Sequence, residues 1–305
     1  MVATFWGVRG SIPTPGYETS RYGGNTLCVE VGFPAAGRTL IIDAGSGIRR
    51  LGDDLLRRPA PAQGISVDVL LSHTHLDHIL GLPFFQPLYR RSTRLCTYGP
   101  AASAEDSLEQ AIGGQMSYRY FPVRPVELAA QITYVDLREG ALELGDGIRL
   151  SATYLNHPLL CMGYRIEYGG RVLCTAFDTE PFYNLFITDP ADPRYDEAMA
   201  FEGEQAAQAA AVRLQHFLQG ADLLIHDGQY TEQEYRAGRV GWGHSSIEHA
   251  IALAEASASR RLALVHHDPM RTDDQLDALA EHYAGLRKES GVEVCFAREG
   301  LSMGL

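Results

Sequence analysis

Long apolar runs, cysteine and positive charge are all scarce in this 305-residue chain. No segment approaches the ~18 consecutive apolar residues that a membrane helix needs. The opening MVATFWGVRGS lacks the basic start and apolar stretch of a signal peptide. The cysteines number five (Cys28, Cys96, Cys161, Cys174 and Cys295), with no close pair. An odd, unpatterned set argues against a secreted disulfide framework and for a reducing cytoplasm. Each cysteine is expected to be a small buried hydrophobe. Lysine and arginine total 26 against 38 acidic residues, a formal charge of −12. A polyanion is repelled on average by such a chain. Clusters such as Arg49/Arg50, Arg57/Arg58 and Arg90/Arg91/Arg94 read as solvated surface, so a small substrate is favoured over nucleic acid. With no linker, low-complexity tract or detectable repeat, residues 1–305 read as one domain.

A hydrophobic fraction of 45% is enough for a large core. Short apolar segments bounded by Gly, Pro or polar turns predict strands at 27–31, 39–43 and 67–72. A second set is expected at 131–135, 148–154, 163–168 and 171–176, with Gly169-Gly170 as a hairpin turn. An Ala-rich helix is expected over 203–219, stopped by Gly220, then a strand at 222–226. A helix over 245–258 opens at Ser245 or Ser246, with Glu248 in a capping box. A strand at 261–265, a helix over 272–288 and a strand at 292–297 complete the set. Strand-rich halves with helices outside them predict an α/β, four-layer αβ/βα sandwich: two sheets face to face, covered on both sides.

The chemistry begins in VDVLLSHTHLDHILGLPFF, residues 67–85. An apolar strand runs directly into His73, His75, Asp77 and His78. Alternation puts His73 and His75 on one side of an extended segment, and Asp77 and His78 fall where a helix begins. Imidazoles and a carboxylate so closely spaced suit Zn²⁺, Mn²⁺ or Fe. A plain polar turn leaves four ligand-type side chains after a buried strand unexplained.

This stretch resembles the HxHxDH signature of the metallo-β-lactamase superfamily, and the resemblance extends over nearly the whole chain. It implies two divalent metal ions, Zn²⁺ or Mn²⁺, with His73 and His75 on the first and Asp77 and His78 on the second. It also implies later ligands at strand ends. His157 in TYLNHP matches the histidine completing the first site, and Asp178 in VLCTAFDTE matches the bridging aspartate. The pair His266-His267 in RLALVHHDP stands where a last histidine is needed. The apolar run ends directly at His266, which favours it, with His267 the alternative. Asp43 in LIIDAGSG matches an aspartate that braces the metal loop without binding metal.

DLLIHDGQY (222–230) and GWGHSSIEHAIALA (241–254) resemble two motifs of the phosphodiesterase branch that contains ribonuclease Z. There the first ends in His-Glu and the second is a His-Ser-Thr run opening a helix; here they read His226-Asp227 and His244-Ser245-Ser246. The resemblance makes His244 a general acid or phosphate ligand, with Asp227 orienting it. The change from Glu to Asp shortens that reach by one methylene. A solvent-facing cap neighbour is the bland alternative for His244. GVRGSIPTPG and RYGGNT (21–26) resemble members of this branch related to cyclic-phosphate phosphodiesterases; as residues they fit a ligand-approaching loop or a plain turn. His216, His249 and His282 read as surface or structural. For Phe84, Phe85, Tyr120 and Phe121, core packing is the default and pocket lining the alternative.

The expectation is a phosphodiesterase that cleaves a small or cyclic phosphodiester, of the cyclic-nucleotide type, by attack of metal-bound hydroxide. Asp77 would orient that hydroxide, and His244 would protonate the leaving oxygen. The competing readings are a tRNA 3′-processing nuclease, a carbon ester, thioester or lactam hydrolase, and a metal-bearing sensor. The nuclease is disfavoured by the acidic balance and by the lack of a long Gly/Pro-rich arm. The resemblance allows a homodimer, which nothing in the sequence decides.

Overall fold

The computed structural model describes residues 1–59, 64–101, 107–284 and 291–305. One sheet is built from β1 (Val2–Gly7), β2 (Cys28–Phe33), β3 (Arg38–Ile42), β4 (Ser66–Leu70), β5 (Arg94–Pro100), β6 (Gln131–Leu137) and β14 (Ser302–Gly304), in the order β14-β1-β2-β3-β4-β5-β6. The other contains β7 (Gly140–Gly145), β8 (Ile148–Tyr154), β9 (Met162–Tyr168), β10 (Arg171–Ala176), β11 (Leu223–Asp227), β12 (Arg261–Val265) and β13 (Glu293–Phe296), in chain order. The two sheets share a pattern. From β14 to β6, and from β7 to β13, three antiparallel pairings are followed by three parallel ones. The repetition lies in topology; the sequence carries no readable repeat.

Strand alternation sorts the side chains into layers. Phe5, Val29, Val31 and Ile42 of the first sheet meet Tyr164, Leu173, Ile225 and Val265 of the second in the central core. On the outer face of the first sheet, Ile41, Val67 and Val69 pack under α1 (Ile48–Arg57) and α3 (Leu108–Gln115). Outside the second, Cys174, Leu224, Leu262 and Leu264 pack under α4 (Glu197–Leu218), α6 (Ile247–Ala256) and α7 (Asp273–Ala284). Burying each such Leu or Ile contributes about 1.5–3 kcal/mol. Two short helices, α2 (Leu76–Ile79) and α5 (Glu232–Arg236), lie in loops. No helix among the described residues is long and apolar enough to cross a membrane.

The predicted strands all appear, those at 148–154, 171–176 and 261–265 with the expected bounds and the others with ends shifted by one or two residues, and the helices need correction. α4 starts six residues before 203, where the Asp196 carboxylate caps it by accepting from Met199 N–H. α6 is capped by Ser246, whose hydroxyl accepts from His249 N–H, so Glu248 takes no part in a capping box. Its carboxylate instead accepts from Glu232 N–H and Tyr283 O–H. For the helix expected over 272–288, α7 covers Asp273–Ala284, and 285–288 lie outside the described residues. Only Cys28, Cys161 and Cys174 are buried; Cys96 and Cys295 are half-buried, and none of the five forms a disulfide.

Candidate metal centre and catalytic site

The site lies where parallel strands end, the usual place for a ligand in such sheets. Asp43 follows β3, the turn 72–78 follows β4, Asp178 follows β10, Asp227 ends β11 and His266 follows β12. Asp43, Asp178 and His266 take left-handed φ angles of 61°, 41° and 58°. Non-glycine residues rarely adopt this conformation, and it is held where surrounding structure fixes it.

The structure gathers all seven sequence-predicted ligands into two adjoining groups, His73, His75, His157 and Asp178, and Asp77, His78, Asp178 and His266. Asp178 belongs to both. His75 Nδ1 lies 3.1 Å from His157 Nε2, and His73 Nε2 lies 3.6 Å from Asp178 Oδ2. His78 Nε2 is 3.1 Å from Asp178 Oδ2, and His266 Nε2 is 3.2 Å from Asp77 Oδ2 and 3.4 Å from Asp178 Oδ1. Ligand atoms that share an ion at ~2.1 Å stand roughly 3–3.5 Å apart, so these spacings fit. The buried His73 Nε2 and Asp178 Oδ1 carry no hydrogen bond, a costly state unless something else satisfies them.

Neighbours fix which ring nitrogen faces inward. His157 Nδ1–H donates to Gly243 O (2.9 Å), His266 Nδ1–H to Gln229 Oε1 (2.9 Å) and His78 Nδ1–H to Asp43 Oδ2 (2.8 Å). Each leaves Nε2 for the cluster. Asp43 also accepts from Ser72 N–H and Oγ–H, so it is a brace, as its motif implied. Burial opposes charge on His78, but Asp178, Asp77 and Asp43 outweigh it and hold the imidazolium well above the usual value. Burial likewise opposes charge on His266, yet Asp178, Asp77 and Asp227 lift it to about 9. Asp77 and Asp178 stay well below the carboxylate range despite burial, held there by the His78 and His266 charges. The cluster therefore draws in positive charge, which protons supply when no cation is bound. Burial pushes His73 well below its usual value, the neutral form a ligand needs.

His267 is turned away. Its Nε2–H donates to Ala297 O (2.8 Å), its ring stacks on Phe296, and burial pushes it down to about 3. His226 lies on the outer face of β11, near His249. Asp227 points the other way. Despite its shorter side chain, Oδ2 accepts from His244 Nδ1–H at 2.9 Å and from Ser245 N–H at 3.2 Å. The His244 ring stacks on His266 at 4.7 Å, so it is not a solvent-facing cap neighbour.

The 9–26 loop, open to two readings from sequence, reaches the site. Ser11 N–H donates to Asp77 Oδ2 at 2.7 Å. A Cβ at Gly10 would lie 2.2 Å from His266 Nδ1, so only glycine lets the chain pass there. The buried Arg9 guanidinium anchors the loop on the carbonyls of Gly23, Asp268 and Arg271. Sequence reasoning missed Gln229, Ser11, Gly10 and the Gly243 carbonyl; only the glycine flanking each motif hinted at them. The aromatic default needs correction too. Phe85 is core, beneath α1, whereas Phe84 and Tyr120 are exposed, and Phe84 meets Phe121 edge to face. His249 is half-buried, and His216 and His282 are exposed.

Comparison with known proteins gives the same picture. Residues 38–192 match the family described as Beta-lactamase superfamily domain. A ribonuclease Z of Methanosarcina acetivorans is 25% identical over 298 residues, covering 89% of this chain and 88% of its own. Among solved structures, a diphosphatase from the PhnP family superposes with a TM-score of 0.64 at 16% identity, covering 100% of this chain and 97% of that one. The short form of human tRNase Z superposes with a TM-score of 0.61 at 18% identity, covering 100% and 99%. With over half its length in that match and the two-sheet sandwich throughout, the chain belongs to the beta-lactamase superfamily and has the metallo-β-lactamase fold.

Proposed function

We propose that this protein is a dinuclear metal-dependent phosphodiesterase acting on a small or cyclic phosphodiester. His73, His75 and His157 would hold one divalent ion, Asp77, His78 and His266 the other, and Asp178 both. Imidazole and carboxylate donors suit Zn²⁺ or Mn²⁺. Ligands come from both sheets, which supports 1–305 as one hydrolase domain. The five cysteines, none of them in a disulfide, fit a reducing cytoplasm.

Cations held there supply Lewis acidity, neutralising phosphoryl oxygens and acidifying the hydrolytic water. The chain's own residues do the rest. Ser11 N–H fixes Asp77 through Oδ2, so the carboxylate is preset to orient the nucleophile. Asp227 holds His244 through Nδ1, leaving Nε2 to give a proton to the leaving oxygen. That pair, stacked over His266, carries the preference for phosphodiesters. Hydrolysis of a lactam or thioester would not need it.

Relatives named Ribonuclease Z and Ribonuclease BN weaken the charge-based expectation against nucleic acid, so a nuclease acting on tRNA 3′ ends is the second reading. The test is one panel with Mn²⁺ or Zn²⁺: bis-p-nitrophenyl phosphate, cyclic nucleotides, a precursor tRNA, a thioester and a lactam. Turnover of the small diesters is expected. Cleavage of precursor tRNA alone would favour the second reading, and turnover of the thioester or lactam alone would overturn both.

A further inference from the structure

The 237–243 loop carries an aromatic stack that the metal chemistry does not use. Trp242 lies two residues before His244 and is 54% exposed. The Arg239 guanidinium sits 4.5 Å over the Trp242 ring and 5.7 Å over the Tyr230 ring. Tyr230 in turn meets the His244 ring edge to face at 6.2 Å. One ring therefore separates Arg239 from His244.

The loop is built to hold this arrangement still. Gly238, Gly241 and Gly243 have φ angles of 132°, 84° and 82°, which fold the segment tightly. Gly241 N–H donates to Glu180 Oε2 at 2.9 Å, and the Gly243 carbonyl holds His157. Trp242 N–H donates to the Arg239 carbonyl at 3.1 Å. The residues flanking Trp242 are thus tied to the site. Arg239 lies over one face of the indole, and Trp242 still keeps more than half of its surface exposed. Arg239 forms no ion pair among the described residues, so its charge is also available in this acidic chain.

We infer that Trp242, backed by Arg239, is a stacking subsite for the nucleobase of a nucleoside phosphodiester whose phosphorus lies beside His244. An exposed indole with a cation over its ring offers a surface on which an electron-rich planar ring stacks. This deepens the phosphodiesterase reading and rests on it for the substrate, though base binding itself can be measured separately.

Two esters with the same p-nitrophenolate leaving group, one of thymidine 5′-phosphate and one of methyl phosphate, test it. The wild type should prefer the nucleoside ester in kcat/KM, and Trp242→Ala should cut that preference about tenfold, mostly through KM, as expected for a lost base stack. Trp242→Phe should restore part of it. An unchanged preference in Trp242→Ala overturns the subsite. A wild type that cleaves neither ester overturns the phosphodiesterase reading, and binding then decides the subsite. In Trp6→Phe protein, Trp242 is the sole tryptophan of the chain's two. Its fluorescence should be quenched by adenosine monophosphate but not by ribose 5-phosphate; equal quenching by both, or none, overturns the subsite.

Discussion

Asp43 and Asp178 occupy the same place in the two sheets. Each follows the first strand of a parallel set, β3 in one sheet and β10 in the other, and each has a left-handed φ. Their partners differ. Asp43 is saturated by Ser72 N–H, Ser72 Oγ–H and His78 Nδ1–H. Asp178 meets the imidazoles of His73, His78 and His266, and its Oδ1 carries no hydrogen bond. The strand end delivers a buried carboxylate to the seam between the sheets, and the segment that follows sets its role. After β4 the turn 72–78 folds over Asp43 and makes it a brace. After β10 the chain leaves Asp178 open to both ligand groups.

The contrast breaks first if the two aspartates respond alike to loss of charge. Asp178→Asn should abolish turnover and lower metal content even with excess metal. Asp43→Asn should weaken metal binding about 10–100-fold, the usual effect of an outer partner, with activity recovered as metal is added. Metal content after dialysis, rate against metal concentration and circular dichroism separate these outcomes. Asp77→Asn should resemble Asp178→Asn in rate while leaving the fold intact. Equal recovery of the Asp43 and Asp178 variants would show that their positions do not differ in role.

Next in size is His244→Ala. It should slow an alkyl phosphodiester by ~10²–10⁴-fold and a p-nitrophenyl diester much less, because p-nitrophenolate leaves without a proton. Metal content should not change. Equal losses on both would make His244 a phosphate ligand instead of an acid.

A neighbouring pair sharpens the comparison within the second sheet. His266→Ala should cost one ion per chain. His267→Ala should keep both ions and cost about 1–3 kcal/mol of stability, from its lost hydrogen bond and packing. Chemical denaturation with metal analysis reads both. Loss of the ion only in His267→Ala would reverse the assignment. The smallest effect is expected for Gln229→Ala, which frees the His266 ring and should weaken metal retention roughly tenfold.

The same comparison explains what the sequence reveals. The first sheet's donors are legible because His73, His75, Asp77 and His78 are consecutive enough for strand alternation and one helical turn to bring them together. His157, Asp178 and His266 are separated by whole strands, and family order was needed to join them. Gln229 and Ser11 have no periodicity or spacing to mark them; only tertiary closure brings them near His266 and Asp77. Among the elements, β1 and α1 were not expected from the sequence; the alternation of β1 shows in its burial, and the α1 stripe of Ile48, Leu51, Gly52 and Leu55 is short. β7 has almost no buried face, so its pairing with β8 leaves little pattern to read.

The central claim is that the two sheets together build one two-ion centre, and metal stoichiometry tests it most directly. Elemental analysis of gently purified, active protein should give about two ions per chain, because seven converging donors exceed one tetrahedral set. His157→Ala and His266→Ala should each bring the value to about one while the other group stays filled. Full activity in protein shown to hold no metal, or one ion lost equally from both groups in either variant, would contradict it.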